Sequence, residues 1–122
     1  MDDDKHEALQ QTAMQMILHA GDARVWLRAA YEAIADQDFS KTREVLAKAK
    51  ADITLAHKAQ TQLIQDEARG TRHDASLLFN HAQDTLMTVN SEWVTANNLL
   101  GVIQVLVTRI DAIEALVRDD EV

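Results

Sequence analysis

The 122-residue chain has no cysteine and no proline, only three glycines, and aromatic residues amount to just 4%. Without cysteine there is no disulfide framework, no thiolate nucleophile and no cysteine-based zinc site. Without proline, and with glycine only at Gly21, Gly70 and Gly101, a strand-rich fold is excluded, because each of its reversals needs turn residues. No stretch approaches the ~20 apolar residues of a membrane span, and no basic-then-apolar leader opens the chain. The expected location is therefore cytoplasmic. Basic charge is also scarce: 12 Lys and Arg stand against 20 Asp and Glu, a formal net charge of −8. A general nucleic-acid binder needs a basic patch that releases counterions, so that class of partner is excluded.

What is present is helix-forming material. Hydrophobic residues make up 47% of the chain, and many are alanine, which has the best helix propensity and lets backbones approach closely. The length suits one domain, spanning 1–122. The fold class is all-α.

Three helices are predicted. The first spans about Lys5 to Ala35, with Leu9, Ala13, Met16, Ile17, Ala20, Leu27, Tyr31 and Ile34 forming an inward stripe at steps of three and four. Gly21 interrupts it at a cost of about 1 kcal/mol relative to alanine, and a close approach by a neighbouring helix or side chain is expected there. His19, two residues earlier, reads either as a helix histidine with a hydrogen-bond partner or as part of a wall opposite His81. Asp38 or Ser40 is the expected cap of a second helix from about Phe39 to Ala68. Its inner face is Val45, Leu46, Ala49, Ile53, Ala56, Gln60, Leu63 and Ile64, with His57 beside it as a packing and hydrogen-bonding residue.

Gly70 suits the left-handed position after that helix, and the short connection makes the second and third helices antiparallel. Asp74 or its neighbour is expected to cap the third helix, about Ala75 to Arg118. This helix is far longer than its partners. Leu99, Ile103, Leu106, Ile110, Ile113 and Val117 form a heptad seam along its end, covered by other copies of the chain unless the helix breaks near Asn97, Asn98 and Gly101 and folds back. A second stripe, Asp84, Thr88, Ser91, Thr95 and Asn98, is polar and reads as solvent-facing or as the lining of an axis shared between subunits. The same helix carries His81 and Asp84, about 60° apart around its axis, where a core helix would place aliphatics.

Three segments carry a family resemblance. Ile17-Leu18-His19-Ala20-Gly21-Asp22-Ala23-Arg24, then Ala56-His57-Lys58-Ala59-Gln60-Thr61-Gln62-Leu63-Ile64-Gln65, then Ser76-Leu77-Leu78 with His81-Ala82-Gln83-Asp84 and Leu86-Met87-Thr88, resemble the lactose/cellobiose-type IIA component of the bacterial sugar phosphotransferase system. The likeness spans about residues 8 to 98. Added to the antiparallel three-helix bundle with an extended third helix read above, it implies assembly of three-helix subunits as a homotrimer acting as a phosphotransferase component. His81 would be the phosphoacceptor, modified at the tele nitrogen by phospho-HPr and discharged to a cysteine of the cognate IIB protein, which serves the membrane IIC protein. Asp84 would meet its symmetry mates on the threefold axis around one structural divalent ion, magnesium or another, per trimer. Gln83 and Thr85 would lie near the phosphate, with His19, Gly21 and His57 as site wall or packing. Direct sugar binding is not implied.

The chemistry suits these residue types. Imidazole, with an ordinary pKa near 6.5, is an uncharged nucleophile around neutrality, and its phosphorylated form remains labile. A loose in-line transition state asks the protein chiefly for positioning and charge stabilisation. Two features depart from the family pattern. Thr85 stands where members usually have a second histidine, and residues 101–122 form a longer, heptad-like helical extension of unassigned role. The rival readings are a structural helical oligomer held by that extension, and a metal enzyme in a bundle. Against the latter, the spacing of His6, His19, His57, His73 and His81 gives no ligand set, and the Glu-x-x-His pattern of di-iron bundles does not occur.

Overall fold

The computed structural model describes residues 2–71 and 76–120. Among these residues the chain forms three helices and no strand: α1 (Asp2–Ala35), α2 (Phe39–Ala68) and α3 (Leu77–Asp120). The inward stripe is Leu9, Ala13, Met16, Ala20, Ala23, Leu27 and Ala30 on α1, Val45, Leu46, Ala49, Ile53, Ala56 and Leu63 on α2, and Ala82, Leu86, Val89, Ala96 and Leu100 on α3. Each recurs at helical spacing, which is why these segments are helices with one buried face.

Cross-helix pairs fix the directions. His19 lies against Asp52, Gln60 bonds Gln83, and Trp93 Nε1 donates to the Leu46 carbonyl oxygen at 2.8 Å. Numbers rise along α3 as they fall along α2, so α2 is antiparallel to α3, and the tight turn after α1 makes it antiparallel to α1 as well. The tryptophans are half-buried, with Lys48 over the Trp26 ring and Lys50 over the Trp93 ring.

Both connections begin with the same C-terminal motif. After α1, the Asp38 amide donates to the Ala33 carbonyl and the Gln37 amide to the Ile34 carbonyl, with Gln37 at φ 59°. After α2, Thr71 and Gly70 repeat the pattern onto Asp66 and Glu67, with Gly70 at φ 99°. Two otherwise orphaned carbonyls are satisfied each time. Gly70 fills its expected place at little cost, whereas Gln37 adopts the left-handed conformation with a side chain attached. Asp38, not Ser40, caps α2 by accepting from the Lys41 amide at 3.1 Å. The candidate cap Asp74 lies outside the described residues; Ser76 Oγ accepts from the Phe79 amide.

Three readings of the sequence need correction, and one open alternative is closed. Tyr31 and Ile64, assigned to inner faces, are 42% and 52% exposed. Gly21 makes no close approach, because a Cβ there would meet nothing within 4 Å. The third helix runs unbroken through Asn97, Asn98 and Gly101 and does not fold back; one glycine costs only about 1 kcal/mol, too little to stop a run of good helix formers. Leu100 is the last buried residue of α3 and Ile103 still packs against the core; residues 108–120, exposed throughout, project about 20 Å beyond it at 1.5 Å per residue. Ile110 is 51% and Leu116 66% exposed on that projection. No helix among the described residues is long and apolar enough to cross a membrane.

Candidate functional site

The first turns of α3 set the geometry. Ala82, Leu86 and Val89 are fully buried, which fixes the inward direction of this segment. At about 100° per residue, Gln83 stands about 100° from it on one flank and His81 about 100° on the other. Thr85 lies between His81 and the core, and Asp84 is about 160° away, on the back of the helix. Exposure follows these angles: His81 and Asp84 are exposed, Gln83 and Thr85 half-buried. The Gln83 flank faces α2, where Gln60 Nε2 donates to Gln83 Oε1 at 3.0 Å. The other flank faces α1, where the Arg24 guanidinium grips the Glu92 carboxylate with two bonds of 2.9 and 3.1 Å.

His81 therefore lies on the α1-facing shoulder of α3. Its ring makes no hydrogen bond or ion pair among the described residues; only its backbone carbonyl is engaged, accepting from the Thr85 hydroxyl at 2.8 Å. The Thr88 hydroxyl does the same to the Asp84 carbonyl. Both hydroxyl protons are spent on the preceding turn, so the side chains left open to a partner are the His81 imidazole and the Asp84 carboxylate. Further along, Thr88, Ser91 and Thr95 line an open groove of about 460 Å³ with Tyr31, Met87 and Glu92. The polar stripe that starts at Asp84 is continuous and exposed through Asn98.

Glu92 is also the main electrostatic influence on Arg24. Its hydrogen bonds, and secondarily its charge, hold the guanidinium pKa above the ordinary value against slight desolvation. Both side chains are more than two-fifths exposed, so this pair orients α1 on α3 more than it stabilises the fold.

The remaining sequence candidates lie elsewhere. His57 is exposed on α2 and does not pack in the core of the chain. His19 does not face His81; its Nδ1 is turned across the α1–α2 seam to Asp52 Oδ1, 3.5 Å away. With Asp22 these residues bring one ligand atom each to within 4.8 Å of the others. The expectation that no histidine finds a carboxylate ligand set is thereby corrected. Half of that grouping was legible, since His19 and Asp22 are three apart on one helix. Asp52 was not, and neither were the Gln60–Gln83 and Arg24–Glu92 links, which depend on which helix faces which.

Comparison with known proteins adds an independent finding. The family described as PTS system, lactose/cellobiose specific IIA subunit, matches residues 11–104. The lactose-specific EIIA component of Lacticaseibacillus casei is 40% identical over 82 residues, 67% of this chain and 73% of that protein. The lichenan-specific IIA component of Bacillus subtilis is 39% identical over the same share of this chain and 74% of its own. The N,N'-diacetylchitobiose-specific EIIA component of Escherichia coli K12 is 33% identical, covering 67% of this chain and 71% of its own. Among solved structures, PtcA from S. mutans superposes with a TM-score of 0.78 at 33% identity, over 80% of this chain and 96% of that one. The cellobiose-specific enzyme IIA of Bacillus anthracis gives 0.77 at 34%, over 82% and 92%.

Proposed function

The chain belongs to the lactose/cellobiose-specific IIA family of the phosphotransferase system, and from that membership we propose that it is a phosphoryl carrier whose acceptor is His81. The observation that carries this reading is the side chain itself: an exposed imidazole with neither ring nitrogen engaged among the described residues, inside the matched segment. In the proposed reaction the tele nitrogen attacks phosphorus of phospho-HPr in line. A new P–N bond forms as the donor's P–N bond breaks, and the second ring nitrogen keeps its proton. A cysteine thiolate of the IIB protein then attacks the same phosphorus, and His81 leaves as neutral imidazole. The protein's contribution is positioning. Gln83, tied to Gln60, and Thr85, tied to the His81 backbone, keep this turn of α3 in register and flank the phosphate on His81.

The working form is proposed to be a cytoplasmic homotrimer. The back of α3 carries Asp84 and the polar stripe, and beside it Met87 and Val94 are 67% and 44% exposed, which suits a face that other copies cover. Three Asp84 carboxylates on one axis repel one another unless a cation or a proton is shared, and a divalent ion such as magnesium fits a ring of oxygen ligands. His81 then opens into a groove between subunits where HPr and IIB dock. Replacing Asp84 by leucine is expected to leave a trimer by size-exclusion light scattering after chelation, with a Tm no lower than the parent's. Dissociation to monomers would remove Asp84 from the axis.

The transported sugar belongs to the partner proteins. Relatives between 33% and 40% identical are named for lactose, lichenan and N,N'-diacetylchitobiose, so the resemblance does not single out one sugar. The direct test is intact-protein mass after incubation with phosphoenolpyruvate, enzyme I and HPr. An acid-labile gain of one phosphate is expected; an unmodified protein would leave the scaffold reading, which the projecting α3 otherwise favours.

A further inference from the structure

We propose that His19, Asp22 and Asp52 form a binding site for a divalent transition metal of the zinc class, separate from Asp84 and independent of phosphotransfer by His81. His19 and Asp22 lie one turn apart on α1, and Asp52 reaches across from α2, so one ion would bridge the two helices. The ligand atoms are within 4.8 Å of one another; two ligands of one ion are at most about 4.2 Å apart, so a pair at the wider limit closes by about 0.6 Å on binding. The decisive distance is 3.5 Å from His19 Nδ1 to Asp52 Oδ1. A direct N–H···O bond would be about 2.7–3.2 Å. Two ligands each about 2.1 Å from a tetrahedral ion are instead about 3.4 Å apart.

A second observation points the same way. His19 Nδ1 is buried and has no hydrogen-bond partner among the described residues, although the side chain as a whole is 33% exposed. In the tautomer that carries its proton on Nε2, the Nδ1 lone pair faces a carboxylate oxygen, and a cation between these two acceptors relieves the contact; the other tautomer places only a proton there. One imidazole and two carboxylates neutralise a dication, and the nitrogen ligand selects zinc, cobalt or nickel over magnesium and calcium. Three protein ligands leave a coordination position open. Beside them is a cavity of about 330 Å³ lined by Asp22, Val25, Trp26 and Asp52, with room for a water or a small anion on the ion. Trp26 is a built-in reporter of occupancy.

The test uses the full chain, stripped with chelator and titrated with Co²⁺ and Zn²⁺, reading cobalt visible absorption, tryptophan fluorescence and calorimetric stoichiometry. One ion per chain is expected at this site, counted in the Asp84→Asn background so that the axial site adds none, with four- or five-coordinate cobalt bands, altered fluorescence and a raised Tm. His19→Ala, Asp22→Asn and Asp52→Asn should each weaken binding at least about 10-fold, while Asp84→Asn leaves it unchanged. Circular dichroism confirms the fold of each variant, and Asp22, exposed on α1, carries the test if the half-buried positions do not tolerate change. Absence of a one-per-chain ion, or affinity unmoved by all three variants, means that a proton alone sits between His19 and Asp52 and overturns the proposal. Loss of the ion only in Asp84→Asn overturns it equally.

Discussion

His81→Ala is expected to abolish phosphate uptake completely while leaving the fold and the assembly unchanged. The two halves of that outcome have separate physical causes. The imidazole is the only side chain in its segment with a nucleophilic nitrogen, and no neighbour substitutes for it: Gln83 is an amide already bonded to Gln60, and the hydroxyls of Thr85 and Thr88 donate to backbone carbonyls. The ring also contributes little to packing, since it is exposed and makes no side-chain bond among the described residues. Alanine even raises local helix propensity by up to about 0.7 kcal/mol. Intact mass should therefore show no acid-labile phosphate on the variant, with an unchanged Tm and light-scattering mass. His81→Gln should behave alike, since size and polarity are kept and the nucleophile is lost. A variant still phosphorylated at one site would move the acceptor elsewhere and sink the proposed mechanism.

The second large effect is structural. Leu86 is fully buried on α3, five residues beyond His81, and occupies the level where α3 meets α1 and α2. Leu86→Ala removes the transfer free energy of its methyl groups and leaves a cavity, together about 3 kcal/mol, within a range of roughly 2–5 for such changes. Against a total stability of about 5–15 kcal/mol, the expected drop in Tm is about 10 °C. Circular dichroism melts would show it. A drop of only about 2 °C would mean that the helices close over the missing side chain, as the alanine-rich interface at Ala82 and Ala96 would then permit. The contrast between the two variants is informative: an exposed residue removes the chemistry without touching the fold, and a buried one weakens the fold without touching the nucleophile.

Much of this arrangement was legible before any coordinates. The bounds of α2 were read to the residue because a cap, a periodic apolar face and Gly70 all agree there. The end of α1 was clear as well, but its left-handed closing residue was not, because Gln37 carries none of glycine's freedom and is held there by the two bonds that complete the turn. Tyr31 and Ile64 were misassigned because both lie at the edge of a stripe. Helical spacing marks an edge residue as inward, whereas a bundle of only three helices leaves its flanks open to solvent. Gly21 shows the converse error: a small residue permits close approach without requiring it, and among the described residues nothing lies within 4 Å of where its Cβ would be.

The sequence by itself determined the helical class, the three segments, the inward stripe of each and the angle between His81 and Asp84, because all of these follow from the fixed 100° step of a single helix. Only the tertiary structure decided which neighbour each flank of α3 meets, so that Gln83 turns to α2 while Glu92 turns to Arg24 of α1. It alone brought Asp52 to His19, and it alone left residues 108–120 of α3 exposed, without a covering helix from their own chain. The periodicity of one helix states how its faces are related to one another. It carries no information on the order in which its partners are arranged around it, which depends on how three side-chain surfaces fit together at once.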